Sequence, residues 1–107
     1  MSTLKNNYDA IEQLIYSDNL QIQAVDFHKE MDLMLIVLNT KAILHQKISS
    51  YPTLHNASLS LLQQYELIGN GTGIHWPALD EDLSLKGFLK DELRQTVNST
   101  LKTNTAA

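Results

Sequence analysis

The spacing of apolar residues changes along the chain, and each change marks an element. From Asn7 to Ser17, Tyr8, Ile11, Leu14 and Ile15 recur at helical spacing, with Asp9 and Glu12 in the first turns. That predicts a short amphipathic helix, ended by Ser17-Asp18-Asn19. Leu20, Ile22 and Ala24 then alternate as in a strand, and the alternation changes phase at Val25 and Phe27. A phase change inside a strand predicts a bulge. His28-Lys29-Glu30 reads as a turn. Met31–Leu38 carries large apolar residues on both faces, the pattern of a central strand covered on both sides. After a turn at Asn39-Thr40, Lys41–Ile48 returns with Ala42, Leu44 and Ile48 on one side. Three strands so spaced predict an antiparallel meander.

Proline then breaks the sheet at Ser49-Ser50-Tyr51-Pro52, since it lacks the N–H of a ladder and biases Tyr51 to extended geometry. Ser58 is placed to cap a helix running to about Leu67, with Leu59, Leu61, Leu62 and Tyr65 as its apolar pairs. Gly69-Asn70-Gly71 would end that helix, glycine taking the left-handed cap conformation. A short strand follows, Gly73-Ile74-His75-Trp76, stopped by Pro77. Ser84 is placed to cap a last helix with Leu85, Phe88, Leu89 and Leu93 on one face, which Val97 and Leu101 could extend. Asp80, Glu81 and Asp82 precede it as an acidic loop, where the helix dipole favours negative charge. The predicted class is α+β: a small antiparallel meander and a short fourth strand, packed with two to three helices. Its divisions are an N-terminal helical extension (1–19), one α+β domain (20–95) and a C-terminal tail (96–107).

Composition narrows the function classes. A chain of 107 residues, 43% of them apolar, suits one hydrophobic core. The net charge of −4 leaves no basic face to neutralise phosphates, which argues against direct nucleic-acid binding and fits a basic partner. Without cysteine there is no disulfide, no thiolate catalysis and no cysteine-bound zinc. The first residues lack the apolar core of a secretory signal, and the longest apolar run, Leu33–Leu38, is too short to span a bilayer. A cytoplasmic location with no membrane association is therefore expected.

Three blocks carry a family resemblance: Tyr51-Pro52-x-Leu54-x-x-Ala57, Tyr65-Glu66-Leu67-Ile68-Gly69, and Gly73-Ile74-His75-Trp76-Pro77-x-Leu79-Asp80-Glu81-Asp82-Leu83-Ser84. Together they resemble the bacterial family of domain of unknown function 2442 over roughly residues 20–89. The resemblance implies a β-meander, a helix, then the Ile-His-Trp-Pro strand and an acidic turn. It also implies two kinds of context. Some members are the N-terminal domain of helix-turn-helix regulators, and others are encoded beside a small toxin and read as antitoxin-like. A helix-turn-helix needs more chain than follows the last apolar contact here. Two departures stand out: Asn39-Thr40-Lys41 replaces an Asp-Gly-Arg-like turn, and Thr53 replaces an arginine after Pro52.

The chemistry worth weighing is concentrated between Gly69 and Leu89. His75 with Asp80, Glu81 and Asp82 offers an acid–base pair or a metal site. Asp80, Asp82, Ser84 and Asp91 fall at calcium-loop offsets, but Leu85 stands where such a loop needs glycine and Asp91 where it needs a bidentate glutamate. The plainer expectation is that these carboxylates satisfy amides at a helix start. His28, His45, His55 and His75 show no paired metal-ligand spacing. Gly69-Asn70-Gly71-Thr72-Gly73 lacks the lysine of a phosphate loop and enters a strand. Trp76 is expected to fill the core and send its N–H to a carbonyl. No metal or cofactor is expected, and no catalytic residue is assigned. His75, Trp76, Pro77, Asp80, Glu81 and Asp82 form an interaction or structural motif. The expected function is a non-enzymatic protein-interaction module, antitoxin-like, binding a small basic protein. The alternatives are an accessory transcriptional regulator acting through a DNA-binding partner, and a metal- or ligand-binding domain using His75 and the acidic loop. A weak homodimer through Tyr8, Ile11 and Ile15 is a further expectation.

Overall fold

The computed structural model describes the backbone of residues 9–106 and the side chains of residues 9–98. In chain order the elements are α1 (Ala10–Ser17), β1 (Ile22–His28), β2 (Leu33–Leu38), β3 (Ile43–Gln46), α2 (Pro52–His55), α3 (Leu59–Leu62), β4 (Glu66–Ile68), β5 (Gly73–Trp76), β6 (Glu81–Ser84) and α4 (Leu85–Ala106). The class is α+β, as expected. The strands, however, form two antiparallel sheets, β1-β2-β3 and β4-β5-β6, rather than a meander with one extra strand.

The register between β1 and β2 is irregular between Ile22 and Ala24, just before the apolar phase shifts at Val25. This bulge lets Ile22, Val25 and Phe27 all turn inward. β2 lies at the centre, with Met34, Ile36 and Leu38 buried and the alternate residues half-buried. It starts at Leu33 rather than Met31. Met31 closes a 3₁₀ turn and is 65% exposed, because Asp32 takes a left-handed conformation (φ 53°) between the two. The Asp32 carboxylate accepts from the backbone N–H and hydroxyl of Ser49 at 2.8 and 2.5 Å, tying the start of β2 to the turn after β3. In the turn after β2, Asn39 holds the segment that leads into β1: its Oδ1 accepts from the Gln21 N–H and its Nδ2 donates to the Asn19 carbonyl.

The helix expected from Ser58 to Leu67 is a single turn. Ser58 caps it as expected, its Oγ accepting from the Leu61 N–H at 3.2 Å. At its other end the Leu62 carbonyl accepts from the indole N–H of Trp76 at 2.9 Å. Beyond it the Tyr65 hydroxyl accepts from the Val25 N–H at 3.0 Å, and its ring meets Phe27 edge-on. These contacts draw the next residues out as β4. Gly69-Asn70-Gly71 therefore turns a hairpin instead of ending a helix, with φ of +59°, +57° and +82°. At Gly71 a side chain is excluded on two counts. The φ is left-handed, and a Cβ there would lie 2.8 Å from that of Gln21. The Gly71 carbonyl accepts from the Ile22 N–H at 2.7 Å, joining the two sheets.

Phe27 and Trp76 meet edge-on between the sheets, and Leu54, Leu62, Leu85 and Phe88 close the core. α1 docks on this same body: Asp9 caps it, Ile15 is buried, and Lys86 of α4 lies 3.1 Å from Asp9. Ile11 also packs on the core, so two of the three residues expected at a homodimer contact are committed within the chain. The third, Tyr8, lies outside the described residues. α4 stays helical through the segment expected as a tail, as far as Ala106. Its expected apolar face is covered only at the base: Leu85 and Phe88 are buried, whereas Leu93 is 57% exposed and Val97 is also open. The side chain of Leu101 lies outside the described residues. Among the described residues no helix is long and apolar enough to cross a membrane.

Candidate functional site

β5 sends Ile74 and Trp76 into the core, so Gly73 and His75 face the other way. Antiparallel pairing sets Glu66 of β4 opposite His75 and Asp82 of β6 opposite it on the other side. The outer face of the second sheet thus carries a row Glu66–His75–Asp82 across three strands. His75 Nδ1 is hydrogen-bonded to the Asp82 carboxylate. That bond holds the imidazole pKa above its ordinary 6.5. The charges of Asp82, Glu66 and Asp80 add to the effect, and partial desolvation opposes it.

The turn from β5 to β6 creates this pairing. Pro77 follows Trp76 where no ladder N–H is needed, the Leu79 N–H returns to the Trp76 carbonyl at 3.1 Å, and Asp80 closes the turn in a left-handed conformation (φ 52°). Pro77 and Asp80 are exposed at the rim of the face. Asp80, Glu81 and Asp82 are therefore not a loop at a helix start. Glu81 and Asp82 belong to β6, and the amide of α4 is served by Ser84, whose Oγ accepts from the Gly87 N–H at 3.0 Å. Because Glu81–Ser84 is a strand, Asp80, Asp82, Ser84 and Asp91 do not share a calcium loop. Trp76 sits on the opposite, buried face as expected, fully enclosed and bonded to Leu62.

The remaining histidines stand apart from the row. His28 is 2.9 Å from Asp26, and His45 is exposed on β3. Among the described residues no group of three histidine or carboxylate side chains converges as a metal would require. Glu66 is the member that sequence spacing missed. The signal was the short run Tyr65-Glu66-Leu67-Ile68 directly before a glycine turn, which also fits the end of a helix.

The two sheets differ at their edges. β1 has its Val25 N–H held by the Tyr65 hydroxyl and its Ile22 N–H by the Gly71 carbonyl. β3 has its His45 N–H held by Glu92 of α4 at 3.1 Å. β4 and β6 form the margins of the second sheet, and among the described residues no side chain caps their main chain. Uncapped edges are where another chain can pair.

A family model described as "Protein of unknown function (DUF2442)" matches residues 22–93. The chain belongs to that family. The DUF2442 match spans both sheets and the first turns of α4, and leaves α1 outside it. Two solved structures share the fold. One is the crystal structure of a protein of unknown function from Rhodospirillum rubrum. It is 25% identical with a TM-score of 0.59, and the likeness covers 67% of this chain and 87% of that one. The other is the solution structure of an uncharacterised protein from Chromobacterium violaceum. It is 22% identical with a TM-score of 0.61, covering 75% of this chain and 72% of that one. No curated protein matches the sequence.

Proposed function

We propose that this DUF2442 domain is a non-enzymatic protein-interaction module whose second sheet docks a small basic protein. The observation that carries the reading is the exposed acidic row Glu66–His75–Asp82, rimmed by Asp80, on a sheet whose margins are uncapped. A cluster of one sign speeds encounter with an oppositely charged partner and rejects like-charged ones. The net charge of −4 favours the same class of partner. An antitoxin-like role is the finer form of this reading. It draws on the family resemblance, together with an acidic face suited to a basic toxin.

The test is a tagged pull-down of the full chain from its native host, with mass spectrometry of what co-elutes. The expected result is one small basic protein at equal amount, lost when Glu66 and Asp82 are both replaced by lysine. Recovery of the chain alone, or a partner indifferent to charge reversal, contradicts the proposal.

A further inference from the structure

We propose that the outer edge of β6 receives an extended segment of that basic partner as a fourth strand of the second sheet, with one of its side chains seated in the groove between β6 and α4. This rests on the interaction reading above and specifies the edge and the conformation of the bound segment. β6 is the last strand of its sheet and runs directly into α4. Beside it lies a groove lined by Leu83 and Ser84 from the strand, Gly87 and Phe88 from the helix, and Tyr51 from across the chain. Gly87 puts no side chain into this space. The Tyr51 wall is fixed: its ring stands edge-on to Phe88, centroids 6.4 Å apart, and its hydroxyl donates to Oε1 of the buried Gln46 side chain at 2.7 Å. A strand edge beside a groove of mixed polarity, with Phe88 at its base and Asp82 and Asp91 among its walls, provides the two elements of strand-addition recognition. Main-chain bonds hold the segment, and the pocket selects one of its side chains.

Charge selects the occupant. The edge presents Glu81 and Asp82 just after Asp80, so a basic residue opposite Asp82 gains a favourable cross-strand pair. A second copy of this chain paired through β6 would bring two acidic Asp80–Asp82 segments to one seam, which is unfavourable. The cations of the groove lie on its α4 side, Lys90 and Arg94, and Arg94 is engaged by Asp91 at 3.5 Å. β4, the other margin, exposes Leu67 and Ile68.

The test uses the full chain labelled with ¹⁵N and two end-blocked peptides, alternating Lys-Val and alternating Glu-Val hexapeptides. The expected result is that the Lys-Val peptide shifts the amides of Glu81–Ser84 and slows their hydrogen exchange by about tenfold or more, while the Glu-Val peptide does neither. Gly87→Leu, which fills the groove and sets a Cβ 3.2 Å from Ser84 Oγ, should abolish that protection, with parent-like shifts of the β1–β3 amides showing that the fold is kept. Shifts on β4 in place of β6, no site-specific shift, or protection of β6 that appears with rising concentration of the chain alone would each overturn the proposal. A basic partner recovered by pull-down without β6 protection overturns the strand mode and leaves the interaction reading standing. Failure to recover any partner removes both.

Discussion

Replacing Trp76 with phenylalanine tests how the core and the short helix α3 are coupled. The indole is fully enclosed, and its N–H serves the Leu62 carbonyl at the end of that helix. Phenylalanine keeps an aromatic ring near Phe27 but removes the donor, leaving a buried carbonyl unsatisfied at about 1–3 kcal/mol. The smaller ring also leaves a cavity, for roughly 1–2 kcal/mol more. The expected loss is about 2–5 kcal/mol, out of a total on the order of 5–15 kcal/mol for a domain of this kind. With a urea m-value of about 1–2 kcal/mol/M, the midpoint should fall by about 1–5 M. The assay is urea unfolding followed by far-ultraviolet circular dichroism, because the substitution removes the sole tryptophan fluorophore. Leu93→Ala, at a residue 57% exposed on α4, is the control and should change stability by no more than about 0.5 kcal/mol. A Trp76→Phe midpoint within about 0.3 M of the parent, or a control that costs as much, would refute the reasoning.

Two other outcomes follow from the geometry. The His75 pKa is raised in the folded state, so its contribution to stability is present below its ordinary 6.5 and is lost as pH rises through the raised value. An NMR titration of the imidazole should show that elevation, and Asp82→Asn should remove most of it, since the Asp82 bond is its largest cause. Gly71→Ala should lower stability by about 1–3 kcal/mol in thermal unfolding, because the left-handed φ and the approach to Gln21 both oppose a Cβ.

Much of the first sheet was legible because its signals are long and local. The bulge in β1 shows as a change of apolar phase at Ala24-Val25, and β2 as an unbroken apolar run with Asn39 at its end. Ser58 and Ser84 were both placed correctly as helix caps, since the requirement they meet lies within three residues. β4 was not legible. Leu61, Leu62, Tyr65 and Leu67 fit a helical face, and a strand of three residues is too short for its alternation to compete. What decides between the two is tertiary: the Tyr65 hydroxyl on β1, the Trp76 indole on Leu62, and pairing with β5. The same competition misplaced the acidic cluster. Three consecutive carboxyl residues before a helix suit its dipole, but Asp80 tolerates the left-handed turn that a tight hairpin needs, and Glu81–Ser84 then alternates as a strand.

The candidate face depends entirely on what the sequence did not display. Glu66, His75 and Asp82 have no helical or motif-like spacing, and they meet only because two short hairpins share β5 in a fixed register. A slip of one residue in either hairpin would turn its members to the buried side, so the charge of the face is specified by the core beneath it, through Ile74 and Trp76. His75 then sets how acidic the face is. While protonated it offsets one of its two carboxylate neighbours, and deprotonation takes the row from a charge of about −1 to about −2. The hydrogen bond to Asp82 delays that change to higher pH. A basic partner held on this row should therefore bind more tightly above the raised His75 pKa than below it. His75→Gln should remove that pH dependence without removing the site. A binding curve flat across the transition in the parent chain would show that the partner is held elsewhere.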